Sequence, residues 1–187
     1  MKHILIGGSC RSGKTTLSLM LRKDGFNHYK MDSIKRGLDD NFCKKAENSW
    51  KKLSPKMAHL IKTMIDESFT DSTRGIEYYV IDTCHLYPKD IAKLNLKDTV
   101  IIFLGYPNLT IEEKCKMIRE NDYDYFWTSF VSDEVIKEGL KLDLEYSKDC
   151  KKQCEENNIK FFDTGNNFNK TIKEAYEYLI KEAKWKR

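Results

Sequence analysis

The chain has 187 residues, with 33 basic and 29 acidic side chains and a formal net charge of +4. That length suits one domain with a core of its own. The small, evenly spread charge calls for neither a nucleic-acid nor a membrane partner, although it suits a small anionic ligand. No apolar run approaches the roughly 18 residues of a membrane span, and the N-terminus runs straight into a strand-like segment with no leader pattern. Cysteines stand at 10, 43, 84, 115, 150 and 154 without C-x-x-C spacing, so reduced thiols in a cytoplasmic protein are the expectation.

In chain order, His3–Ile6 reads as a short strand and Lys14–Lys23 as a helix. Asn27–Met31 is a weak second strand. Ser54 and Pro55 suit a helix start, Ser as cap and Pro at the first helical position. Met57, Leu60, Ile61, Met64 and Ile65 then follow helical spacing. Glu77–Ile81 reads as a third strand, and Thr99–Leu104 as a fourth, apolar throughout like a strand buried on both faces. Thr110 and Glu113 form a capping box. A long amphipathic helix runs from Ser132 to about Asn157, with Cys150 and Cys154 on one face, where they suit core packing. Lys160–Asp163 is a fifth strand, and Thr171–Lys184 a last helix. This alternation predicts a three-layer α/β fold, a five-stranded parallel sheet flanked by helices.

The stretch Gly8-Ser9-Cys10-Arg11-Ser12-Gly13-Lys14-Thr15, followed by Thr16, fits G-x-x-x-x-G-K-[ST] without deviation. Its glycines allow a tight turn and close approach to phosphates, its successive N–H groups form an anion nest, and the next helix adds its positive end. Lys14 places a charge among the terminal phosphates, and the Thr15 hydroxyl suits magnesium. In an open parallel sheet, ligands lie beyond the carboxyl ends of the strands. Those ends here carry Gly7-Gly8, Asp32-Ser33, Asp82-Thr83, Gly105-Tyr106 and Asp163-Thr164-Gly165, a polar edge throughout.

With the segments "MDSIKRGL" at 31–38, "YYVIDT" at 78–83, "FLGYP" at 103–107 and "FFDTGNNF" at 161–168 in this order, the chain resembles the P-loop small-molecule kinases, the group of adenylate kinase, shikimate kinase and chloramphenicol phosphotransferase. The resemblance covers nearly the whole chain. It implies a P-loop nucleotide-kinase fold with a lid at about 119–132 and an acceptor side at 32–75. It also implies transfer of the γ-phosphate of Mg-ATP to a small-molecule acceptor. By this resemblance Asp32 faces the acceptor hydroxyl, Lys35 and Arg36 bind the acceptor, and Asp82 joins Thr15 at the magnesium ion. Arg119 clamps phosphate from the lid, and Thr164, Gly165 and Asn166 pass over the adenine. Basic residues here are mostly lysine, so Arg11, Arg36 and Arg119 stand out, their guanidinium forks matched to phosphate oxygens.

The sequence also departs from those relatives. The stretch Thr83-Cys84-His85-Leu86-Tyr87-Pro88 lacks the arginine that adenylate kinases carry after the third strand, which counts against AMP as acceptor. His85 reads more readily as a hydrogen-bonded loop histidine than as a catalyst. The lid segment "ENDYDYFWTSF" is acidic and aromatic. Its rings suit either packing onto the body or closure over a hydrophobic or cationic acceptor. Trp50 is open to the same two readings. Two other functions stay open: a nucleotide-binding ATPase switch, although no N-K-x-D pattern occurs, and a polynucleotide 5′-kinase, against which the even charge distribution argues.

Overall fold

The computed structural model describes residues 1–41, 50–68, 77–96, 98–122 and 127–184. Five strands, β1 (His3–Gly8), β2 (Asn27–Lys30), β3 (Tyr79–Thr83), β4 (Thr99–Gly105) and β5 (Lys160–Asp163), form one sheet in the order β2-β3-β1-β4-β5. Every pairing is parallel. The helices are α1 (Lys14–Lys23), α2 (Met31–Asn41), α3 (Trp50–Ser68), α4 (Pro88–Ala92), α5 (Ile111–Glu120), α6 (Asp133–Glu156) and α7 (Phe168–Glu182). A 3₁₀ turn, Trp127–Phe130, lies between α5 and α6. No helix among the described residues is long and apolar enough to cross a membrane.

The central position of β1 explains its composition. All six of its residues are buried, and they alternate between two cores. Ile4 and Ile6 pack with Leu17 and Leu21 of α1 and Ile172, Ala175 and Leu179 of α7. Leu5 packs on the other face with Ile61 and Ile65 of α3, Ile91 of α4 and Tyr146 of α6. Each fully buried Ile or Leu contributes about 1.5–3 kcal/mol. β4 behaves alike, with Ile102 and Leu104 in the first core and Phe103 in the second. The edge strand β2 has only four residues, the outer two exposed, which explains its weak sequence signal. A third cluster, Cys115 and Ile118 with Ile136 and Leu140, joins α5 to α6.

Several boundaries differ from expectation. α3 starts at Trp50, so Pro55 lies inside it rather than at its first position. Ser54 does not cap α3 either. Its hydroxyl accepts from Tyr87 N–H and donates to Asp90 Oδ2, both at 2.7 Å, pinning the start of α4. β3 is displaced two residues toward the C-terminus of the expected segment, and α7 starts at Phe168, where the Asn167 side chain accepts from Lys170 N–H. α2 and α4 were not expected from the sequence, although Met31, Ile34 and Leu38 of α2 follow helical spacing. α2 follows β2 with no intervening loop, because Met31 turns into the second core and pulls the chain into a helix. The capping box at Thr110 and Glu113 is present as expected.

Candidate active site

The loop between β1 and α1 is shaped by two left-handed glycines. Gly8 has φ 130° and Gly13 has φ 96°. A Cβ on Gly8 would stand 1.9 Å from the Leu104 carbonyl oxygen, and one on Gly13 2.7 Å from Ile172 Cδ1, so no larger residue fits either place. The loop is then strapped from outside. Tyr106 Oη donates to the Cys10 carbonyl at 2.7 Å, and Lys114 Nζ to the Arg11 carbonyl at 2.9 Å. A trans peptide points its N–H opposite to its C=O, so the Tyr106 bond turns the Arg11 N–H to the other side, into the concavity. Lys14, 6% exposed, donates to the Ser9 carbonyl at 2.6 Å. Gly13 caps α1 without a side-chain bond, which leaves the helix N-terminus to receive an anion. The Ser12 hydroxyl is buried with no hydrogen-bond partner.

Two strap residues escaped the sequence reading. Lys114 is buried on α5, its ammonium 4.0 Å from the Tyr106 ring centroid. Burial, then the charges of Arg11 and Lys14, pull its pKa down to about 8. Asp143 of α6 is pushed up to about 6, chiefly by burial, against the charges of Lys14 and Lys114 and a hydrogen bond from the Cys10 thiol. A signal for both existed. Lys114 lies three residues after Ile111 and four before Ile118, and Asp143 three after Leu140 and four before Ser147, on otherwise buried helix faces. A charge on the inner face of an amphipathic helix needs a partner.

Asp82 is 1% exposed and shares the sheet face of Val80, toward α1. His28 Nε2 of the neighbouring strand lies 3.1 Å from its Oδ2, whereas Oδ1 is buried and unpartnered. A buried carboxylate oxygen with no proton donor suits a cation. Thr15, the other residue assigned to magnesium from the sequence, is half-buried at the start of α1.

Asp32 stands in the first turn of α2, where the helix dipole favours a carboxylate. Its Oδ1 accepts from the Cys84 N–H at 3.3 Å and the Cys84 thiol at 3.5 Å, and His85 Nε2 is 3.9 Å away. Lys35 and Arg36 follow at the i+3 and i+4 positions, on the same side of α2, half-buried and exposed respectively.

Arg11 reaches the segment between α5 and α6. It donates to Asp122 Oδ1 at 2.7 Å and to the Thr128 hydroxyl. Arg119 lies on the other side of the same carboxylate, its Nη1 3.7 Å from Asp122 Oδ2. The same Nη1 donates to the Thr128 carbonyl at 2.6 Å, while Nε donates to Asp133 at 2.8 Å and Nη2 to the Val131 carbonyl at 2.7 Å. Burial alone would raise the Asp122 pKa. The hydrogen bonds from Thr128 and Arg11 and the two arginine charges outweigh it and hold the carboxyl below its usual range. Arg119 therefore braces the segment between α5 and α6, one carboxylate away from the Gly8–Gly13 loop. Residues 123–126 of the expected lid and the Trp127 and Trp50 side chains, which carry most of the aromatic expectation, lie outside the described residues, as do 42–49 and 69–75 of the expected acceptor side.

Thr164 is buried, and both its N–H and its hydroxyl donate to the Gly105 carbonyl, at 2.8 and 3.1 Å, tying β5 to β4. Gly165 N–H donates to Asp163 Oδ1, and Asn166 is exposed.

The sheet order, parallel strands and glycine-built phosphate loop define the class: this is the P-loop nucleotide-kinase fold. Comparison with solved structures agrees. A gluconokinase from Sinorhizobium meliloti superposes with a TM-score of 0.59 at 13% identity, over 98% of this chain and 94% of that one. A shikimate kinase from Bacteroides thetaiotaomicron gives 0.55 at 14% identity, over 98% of both chains. A sugar kinase from a Janibacter species gives 0.56 at 15% identity, over 96% and 94%. No family model matches the sequence, and no curated protein does.

Proposed function

We propose that the protein is a phosphotransferase that moves the γ-phosphate of Mg-ATP to a hydroxyl of a small polar metabolite, within one domain. The observation that carries this reading is the strapped glycine loop, with Lys14 bonded across it and a carboxylate, Asp32, in the first turn of α2 beyond the end of β2, two strands from β1. The fold's neighbours support the acceptor class, since they are titled gluconokinase, shikimate kinase and sugar kinase. A nucleotide- or antibiotic-like acceptor is the other option within the same chemistry. A cytoplasmic location fits the free thiols of Cys10, Cys84, Cys115, Cys150 and Cys154.

The residues divide the work as follows. The loop of Gly8, Ser9, Cys10, Arg11, Ser12 and Gly13, with Lys14, Thr15 and Thr16, receives the phosphates; the Ser9 N–H is held by the Leu104 carbonyl and the Ser12 N–H by the Ser9 carbonyl, so these two residues shape the loop. Thr15 and Asp82 would hold magnesium, which when bound neutralises charge on the phosphate oxygens. Asp32 orients the acceptor hydroxyl and takes its proton, while Lys35 and Arg36 bind the rest of the acceptor. The segment 163–166, with Thr164, Gly165 and Asn166, flanks the adenine. Arg119 and Arg11 exchange the Asp122 carboxylate for phosphate oxygens when the lid, 119–132, closes and excludes water.

Titration calorimetry with Mg-ATP, followed by a screen of sugars, sugar acids, nucleosides, aminoglycosides and chloramphenicol-like compounds for ATP-dependent phosphorylation, tests the reading. Binding of Mg-ATP with transfer to one acceptor class is the expected result. Absence of nucleotide binding by the folded protein defeats the proposal. Binding with slow hydrolysis and no acceptor would favour an ATPase switch.

A further inference from the structure

The turn after β3 places three chemically different donors around one point. Cys84 Sγ lies 3.5 Å from Asp32 Oδ1 and 3.5 and 3.7 Å from the two ring nitrogens of His85. His85 Nε2 is 3.9 Å from the same Asp32 oxygen. The ligand atoms of the trio all lie within 4.8 Å of one another, and among the described residues no other group of three His, Cys, Asp or Glu side chains does so. Tetrahedral zinc binds sulfur at about 2.3 Å and nitrogen or oxygen at about 2.0–2.2 Å, which sets the edges between ligands at roughly 3.3–3.6 Å. The spacings are close to those edges, and because Sγ is nearly equidistant from the two ring nitrogens, the His85 ring turns on binding to aim one lone pair at the ion.

We propose that Asp32, Cys84 and His85 bind one divalent transition-metal ion of the zinc class, and that filling this site withdraws Asp32 from the acceptor. The donor set selects the ion. A thiolate, an imidazole and a carboxylate suit zinc, whereas magnesium takes oxygen ligands and keeps its waters. Three protein ligands leave the fourth tetrahedral position open. Backbone geometry holds the donors in place. The Thr83 hydroxyl accepts from the His85 N–H at 3.0 Å, and the Cys84 N–H donates to Asp32 at 3.3 Å. On binding, the Cys84 thiol proton passes to solvent and its sulfur coordinates as thiolate. Asp32 and His85 are partly exposed, so the ion enters from the acceptor side. This magnesium-poor chemistry is separate from the Thr15–Asp82 oxygen pair.

The metal-binding half of this proposal does not depend on the phosphotransferase reading, whereas the competition with acceptor rests on it. The test uses the full chain, stripped with chelator and titrated with Zn²⁺ against a chromophoric competitor and separately with Co²⁺. One equivalent should bind, the cobalt form should show thiolate-to-metal charge-transfer absorption, and millimolar Mg²⁺ should not displace either ion. Cys84→Ser and His85→Gln should each weaken Zn²⁺ by on the order of 10–100-fold or more, with circular dichroism verifying the fold; His85→Gln, at a partly exposed position, decides the matter if Cys84→Ser does not fold. Cys10→Ser should change the affinity less than about threefold, since Cys10 touches Cys84 but is not assigned as a ligand. Unchanged affinity in the folded variants, no thiolate band, displacement by Mg²⁺, or an equal loss in Cys10→Ser would each overturn the site. Once an acceptor is in hand, Zn²⁺ should inhibit in competition with it and not with Mg-ATP. Full transfer at saturating Zn²⁺ overturns the competition, while a protein that transfers to no acceptor leaves the binding result intact.

Discussion

The two ends of the sheet are built to opposite standards. At the amino end, His3 is fully buried and every ring nitrogen is used. Tyr79 N–H donates to Nδ1 at 3.1 Å, so Nε2 carries the proton and donates to the Ser68 hydroxyl at 3.0 Å, which in turn donates to the Ile65 carbonyl at 2.6 Å. At the carboxyl end, buried oxygens of Ser12, Asp82 and Asp122 have no hydrogen-bond partner. Leaving a buried polar group unsatisfied costs about 1–3 kcal/mol. Satisfying one end and not the other is what a scaffold with a binding edge requires. The amino end stabilises the fold, and the carboxyl end retains polar groups for a ligand.

The contrast fails most visibly if changes at the two ends have the same consequence. Lys14→Ala has the largest expected effect. It should lower phosphoryl transfer by roughly 10³-fold or more, a loss typical of removing a preorganised charge from a reacting phosphate or oxyanion, while the chain stays folded by circular dichroism. Global unfolding of this variant would place the lysine in the scaffold instead.

Acid should act on the other end. Burial, only partly opposed by Asp98, pulls the His3 pKa from 6.5 to about 4. Between those values the unfolded chain binds more protons than the folded one, so stability falls as the pH drops from about 6.5 to about 4. The full loss is roughly 3 kcal/mol at 1.36 kcal/mol per pH unit. Urea unfolding across this range measures it, and His3→Gln should flatten this part of the profile.

Asp32→Asn comes next, with transfer lowered by about 10²-fold and ATP affinity nearly unchanged. Unimpaired transfer to the true acceptor would remove Asp32 from the proton-accepting role. The smallest effect is expected at the lid. Asp122→Asn removes the charge between Arg11 and Arg119 and should cost about 1–2 kcal/mol, read as faster hydrogen exchange over residues 127–132. Bound Mg-ATP should restore protection there, because phosphate oxygens take over the two guanidiniums. Equal exchange in wild type and variant would mean that the carboxylate does not hold the lid.

The sequence alone determined what depends on local rules. The G-x-x-x-x-G-K-[ST] spacing located the phosphate loop, since backbone conformation there demands glycine at two fixed places. Continuous apolar runs marked β1 and β4, since a strand covered on both faces has no polar side, and Thr110 with Glu113 marked the start of α5. The number of strands and their parallel sense followed from the alternation with helices. Tertiary structure decided what depends on partners far apart in the chain. Ser54 and Pro55 carry a good local helix start, yet Ser54 bonds to Tyr87 and Asp90 instead, and α3 begins at Trp50, five residues before Pro55. α2 starts directly after β2, where Met31 is buried and Ile34 packs against the same core. Lys114, Asp143, His28 and Cys84 acquire meaning only when α5, α6, β2 and the turn after β3 converge around the loop and Asp32. Arg11 and Arg119 meet over Asp122 for the same reason: a charged side chain's partner is set by the fold, and no spacing along the chain encodes it.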